Sequence, residues 1–109
     1  MHELAIVEGV VDQVTTRLPE TRIRSVRLEI GALSGVVPDA LRFCFDLATE
    51  GTTMEGASLE ITEMPGRCRC RSCGGEFSPD GLILLCPCGG ADVEVLSGQE
   101  LKIASVGVA

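Results

Sequence analysis

The tightest constraint on this chain is that five of its six cysteines fall between residues 68 and 88. They read Cys68-Arg69-Cys70-Arg71-Ser72-Cys73-Gly74-Gly75 and, with twelve residues between Cys73 and Cys86, Cys86-Pro87-Cys88-Gly89-Gly90. Two close pairs joined by a hairpin-length spacer converge on one tetrahedral ion. Thiolate is a soft ligand, and four of them suit zinc or an iron–sulfur site. The expected ligands are Cys70, Cys73, Cys86 and Cys88, with Cys68 a fifth candidate able to replace a neighbour. The second pair has one residue between its sulfurs where two are usual, which alters the turn. The glycines behind each pair relieve steric limits where backbone amides must face sulfur. Neighbours such as Arg, Ser and Gly do not suit an ordinary apolar core. A closed four-sulfur site is structural, with no open position for catalysis. By analogy with zinc-finger peptides it supplies on the order of 10 kcal/mol of apparent metal affinity to its lobe. Arg67, Arg69 and Arg71 are expected to offset the thiolate charge.

Around this lobe the hydrophobic periodicity describes a small α/β (α+β) body. Leu4, Val7, Val11, Val14 and Leu18 recur at helical spacing and predict a helix from about residue 3 to Pro19. Val26, Leu28 and Ile30 alternate with Arg27 and Glu29, a half-buried strand. Pro38 suits the first position of a second helix, with Leu41, Cys44, Phe45 and Ala48 on one face and Gly51 ending it. Leu59 and Ile61 predict a second strand, and Val93 and Val95 a short one. Leu101, Ile103 and Val106 predict a closing strand. Composition shifts at Pro65-Gly66. The predicted organisation is a two-helix body with a three-stranded sheet, residues 1–65 plus 98–109, and an inserted four-cysteine lobe, residues 66–97.

Composition narrows the function classes. The net charge is −7, and the chain has no Trp, no Tyr and three Phe. Nucleic-acid binding needs excess base and stacking aromatics, so no nucleic-acid partner is expected. No apolar run is long enough for a membrane span. The first residues lack the basic and apolar regions of a signal peptide, so the expected location is cytoplasmic, where thiols stay reduced. No nucleophile cluster or second imidazole accompanies the lone histidine, so no enzyme is expected. A rubredoxin-like iron electron-transfer protein and a zinc-ribbon binding module are the competing readings.

That histidine is His2, the only one in the chain. The Met1 amine, the deprotonated His2 amide and the His2 Nδ1 can close fused five- and six-membered chelate rings; the alternative reading is one incidental surface histidine. The Glu3 amide supplies a fourth donor. Four nitrogens in a plane suit Ni(II) or Cu(II) better than Zn(II). The Glu3 carboxylate stands beside them as an oxygen donor or outer acceptor.

The opening Met1-His2-Glu3, the segment Gly31-Ala32-Leu33-Ser34-Gly35-Val36 and the helix Leu41-Arg42-Phe43-Cys44-Phe45-Asp46-Leu47 resemble the HypA/HybF family of nickel chaperones. So do the cysteine lobe and the closing Gly98-Gln99-Glu100-Leu101-Lys102-Ile103. The resemblance covers essentially the whole chain. It implies a nickel-binding α/β domain with a zinc ribbon: Zn2+ is structural, and Ni2+ is transferred. It further implies that His2 is the nickel ligand, completed by Met1 and Glu3. The ion would be handed to the [NiFe] hydrogenase large subunit with the help of a HypB-type GTPase. This chain departs from the family in the shortened Cys86-Pro87-Cys88 pair and in carrying Val37 where many relatives carry an acid.

Overall fold

The computed structural model describes residues 2–109; the predicted nickel donor Met1 lies outside them. Two helices and six strands follow in the order α1 (Glu3–Arg17), β1 (Ile23–Gly31), α2 (Pro38–Ala48), β2 (Ser58–Met64), β3 (Arg67–Cys70), β4 (Glu76–Phe77), β5 (Val93–Ser97) and β6 (Leu101–Val108). The strands form two three-stranded sheets, ordered β2-β1-β6 and β4-β3-β5. Among the described residues no helix is long and apolar enough to cross a membrane.

By its contacts the chain divides into two compact units. The first is Met1–Leu28, Val36–Thr62 and Lys102–Ala109; the second is Glu29–Gly35 and Glu63–Leu101. In the first unit α1 packs against α2. α1 buries Val7, Val10 and Val14, while Leu4 remains 47% exposed. The expected stripe ran through Leu4 instead. At 100° per residue the burial face is centred between Val7, Val10 and Val14, which places Leu4 and Val11 on its flank. α2 begins at Pro38, whose missing N–H costs nothing there, and buries Leu41 and Phe45. From β1, Ile23, Val26 and Leu28 are also buried.

The second unit holds five of the six cysteines and extends beyond 66–97. Gly31 N–H donates to Glu100 O at 2.7 Å, Ala32 N–H to Met64 O at 2.8 Å and Leu33 N–H to Gly98 O at 2.6 Å. The backbones approach closely here, and only glycine permits it. A Cβ on Gly31 would lie 2.0 Å from Gly98 O, and Gly98 itself has φ +108. Leu33 reaches the ribbon's small core and packs on buried Cys68, Cys70, Phe77 and Cys86 beside Val93 and Val95.

Candidate metal centres

Strand alternation sets up the four-sulfur cluster. β3 pairs antiparallel with β4 and β5, in registers Cys68↔Phe77 and Cys70↔Val93. Cys68 and Cys70 are fully buried, while Arg67 and Arg69 between and beside them are exposed. The arginines therefore occupy the face opposite the cysteines. Arg69 pairs with Glu76 at 3.6 Å, Arg71 with Asp92 at 2.9 Å, and Arg67 with Glu76 at 4.0 Å. The guanidiniums thus meet carboxylates rather than the thiolates whose charge they were expected to offset.

Two tight turns carry the sulfurs, and they share one design. In the first, Cys70 N–H donates to Gly75 O (2.9 Å) and Gly74 N–H returns to Cys70 O (2.8 Å). In the second, Cys86 N–H donates to Gly90 O (2.9 Å) and Gly89 N–H returns to Cys86 O (2.8 Å). Each closing glycine then aims its amide at the second sulfur of its pair: Gly75 N–H at Cys73 Sγ and Gly90 N–H at Cys88 Sγ, both 3.4 Å. The second turn is the first with one residue removed. Gly74 and Gly89 lie at φ +75 and +92, where a side chain would be strained.

The resulting cluster is Cys70, Cys73, Cys86 and Cys88, with all four sulfurs within 4.8 Å of one another. Cys70 Sγ lies 3.7 Å from Cys88 Sγ, and Cys73 Sγ 3.7 Å from Cys86 Sγ. A tetrahedron of sulfurs at the usual zinc distance has an edge of about 3.8 Å, so the donor set fits a zinc ion between the two turns. Cys68 is outside the cluster and inside the apolar core. Without metal, the Cys73 backbone N–H leads in drawing the Cys70 thiol down to about 7. The Cys88 backbone N–H acts the same way on Cys86, but burial and the three neighbouring thiols outweigh it and push Cys86 up to about 12. The Cys70 and Cys86 thiols thus hold their protons unequally.

At the other candidate centre, His2 is the N-cap of α1, in extended conformation, with no side-chain capping bond. Its carbonyl accepts Ile6 N–H at 3.2 Å, and its side chain is exposed. Glu3 opens the helix, so its amide has no intrahelical acceptor. The Glu3 carboxylate accepts the N–H of Val37, the N-cap of α2, at 3.3 Å. That bond first, and Glu3's own backbone N–H second, hold its carboxyl below the usual 4.5. The carboxylate also meets the positive end of α2. Val37 therefore contributes through its amide, a role its apolar side chain does not advertise in the sequence. Among the described residues, the four cysteines are the one group of three or more His, Cys, Asp or Glu side chains gathered around a common point.

Comparison with known proteins addresses the whole chain. A family model described as "Hydrogenase/urease nickel incorporation, metallochaperone, hypA" matches residues 1–108. Among similar proteins, a hydrogenase maturation factor HypA of Streptomyces avermitilis is 51% identical, covering 97% of this chain and 86% of its own. Proteins of the same name from Nostoc punctiforme and Geobacter metallireducens are 47% and 46% identical, covering 97% and 99% of this chain and 94% and 99% of their own. The solution structure of the Ni metallochaperone HypA from Helicobacter pylori shares the fold. It has a TM-score of 0.65 at 21% identity, over 99% of this chain and 97% of that one.

Proposed function

Since this chain belongs to the HypA family, nickel metallochaperones of hydrogenase maturation, we propose that it carries Ni(II) at its N-terminus, with His2 as the central ligand. The Met1 amine and the backbone nitrogens of His2 and Glu3 complete a plane of four nitrogens, a donor set that suits d8 nickel. The observation that supports this reading is the state of His2 and Glu3. The imidazole is exposed and uncommitted to capping, and it precedes an amide that has no helical partner. The Glu3 carboxylate, tied to Val37 N–H, anchors the helix end of the chelate. Nickel binding displaces protons from these nitrogens, so acid or a competing ligand set releases the ion. Ready release suits a carrier, a maturation factor rather than a catalyst.

In the same reading Cys70, Cys73, Cys86 and Cys88 hold a resident zinc that shapes the ribbon, residues 66–97, and the nickel function belongs to residues 1–65 plus 98–109. Zinc there fixes the two turns and takes no part in transfer. The recipients are a HypB-type GTPase and the hydrogenase large subunit, in the cytoplasm. The deciding experiment titrates Ni(II) into untagged, zinc-loaded protein and into His2→Ala. The wild type should take up about one nickel with the spectrum of a planar nitrogen site. Equal stoichiometry and affinity in His2→Ala would refute the assignment.

A further inference from the structure

A groove of about 560 Å³ runs along the outer side of the helix pair. Its apolar floor is Leu4, Val11, Leu47 and Ala48, and Glu8 and Asp12 stand on one wall. Leu4 and Leu47 are 47% and 51% exposed, and Phe43, one turn before Leu47, is 67% exposed. These are large apolar side chains left in water on a face where α1 and α2 have already satisfied their own packing. Thr15 closes one end, its hydroxyl turned back onto Val11 O at 2.8 Å, so it demands nothing from a guest.

The charge around the groove is one-sided. Among the described residues neither Glu8 nor Asp12 has an ion-pair partner. Arg17, at the far end of α1, is the helix's one base. On α2 the one base, Arg42, is spent on Leu59 O at 2.7 Å. We propose that this groove is a docking site for a basic amphipathic helix of a partner protein. From Leu4 to Thr15 the groove spans about 16 Å of helix axis, which accommodates about three turns. Three turns present apolar anchors at i, i+3 or i+4, and i+7, the usual register for a helix laid in a groove. Glu8 and Asp12 are one turn apart and select two Lys or Arg with the same spacing. A second copy of this chain has no such helix to offer, since α1 and α2 carry one base each and more acids than bases. An anionic lipid surface is repelled by the same carboxylates.

This site does not rest on nickel at His2, and the two readings are tested separately. Zinc-loaded full-length protein is mixed with a fluorescent peptide of about 14 residues, three turns plus ends. The peptide carries three Leu anchors and two Lys one turn apart; a second peptide replaces both Lys with Glu. Anisotropy should show saturable binding of the Lys peptide, weakened by added salt. Glu8→Lys combined with Asp12→Lys should weaken it roughly tenfold or more and strengthen the Glu peptide, the signature of a charge match. Leu47→Asp should weaken both peptides. Should the double lysine variant lose its helical circular dichroism, Glu8→Gln with Asp12→Asn takes its place, with a smaller loss of the same sign expected. Nickel uptake should be unchanged in all these variants. Equal affinity for the two peptides, no saturable binding, or indifference to the Glu8 and Asp12 substitutions each overturns the proposal. So does a concentration-dependent dimer abolished by Leu47→Asp, which would give the groove to a second copy.

Discussion

The carboxylate of Glu3 and the amide of Val37 are joined by a 3.3 Å hydrogen bond that ties the first residue of α1 to the N-cap of α2. The bond lowers the folded-state pKa of Glu3. A depressed carboxyl stabilises the fold at pH above its unfolded value, and the contribution is lost as pH falls through the lower folded value. The Val37 amide resonance should therefore titrate with a midpoint below 4.5, the ordinary glutamate value. Glu3→Gln should abolish that titration. A Val37 midpoint at or above the ordinary value would show the bond to be absent in solution.

The zinc-free cluster should release its protons in a distinctive order. Cys70 falls to about 7, so its thiolate favours the fold at high pH and that contribution fades as pH drops through about 7. Cys86 at about 12 behaves oppositely: its neutral form is favoured until pH climbs past the ordinary thiol range. Zinc must displace whatever protons remain. Potentiometry during zinc addition should count about one proton fewer at pH 8 than at pH 6, because Cys70 has already ionised. Identical release at the two values would contradict this ordering.

Cys68 and Cys73 separate core from ligand. Cys68→Ser should retain about one zinc yet lower unfolding stability by about 1–3 kcal/mol, because it places a hydroxyl in an apolar core. Cys73 is exposed and belongs to the sulfur cluster, so Cys73→Ser should lose zinc readily to a chelator. Metal analysis with thermal melts reads both, and a red ferric form in untreated wild type would point to iron instead of zinc.

Gly31 faces Gly98 with no room for a methyl group, since an added Cβ would sit 2.0 Å from a backbone oxygen. Backbone cannot step aside as a flexible side chain can. Gly31→Ala should cost about 1–3 kcal/mol, the range for overpacking, and should displace the Leu33–Gly98 hydrogen bond. Gly9→Ala, where nothing lies within 4 Å, is the control and should leave the melt unchanged or raised.

Much of this architecture is legible from periodicity and punctuation. Pro38 marks the start of α2, and alternation through Val26, Leu28 and Ile30 marks β1, because local steric rules act there regardless of tertiary context. The four-sulfur group is legible because metal geometry restricts spacing. Other features depend on contacts distant in sequence. Val10 rather than Leu4 enters the core because α2 decides which flank of α1 is covered, and both residues satisfy the helical repeat. Arg69 finds Glu76 because β3 and β4 pair, which no charge pattern announces. In the ribbon, β4 was hidden because it has two residues, too few for any alternation.

The two metal-bearing turns have a consequence for how such proteins are recognised. Cys86-Pro87-Cys88 reproduces the sulfur-facing amide of its longer counterpart, so the two turns differ in ring size and share the orientation of the final N–H. A search that demands two residues between every pair of sulfurs would discard this ribbon, whereas one keyed to cysteine followed by paired glycines would retain it.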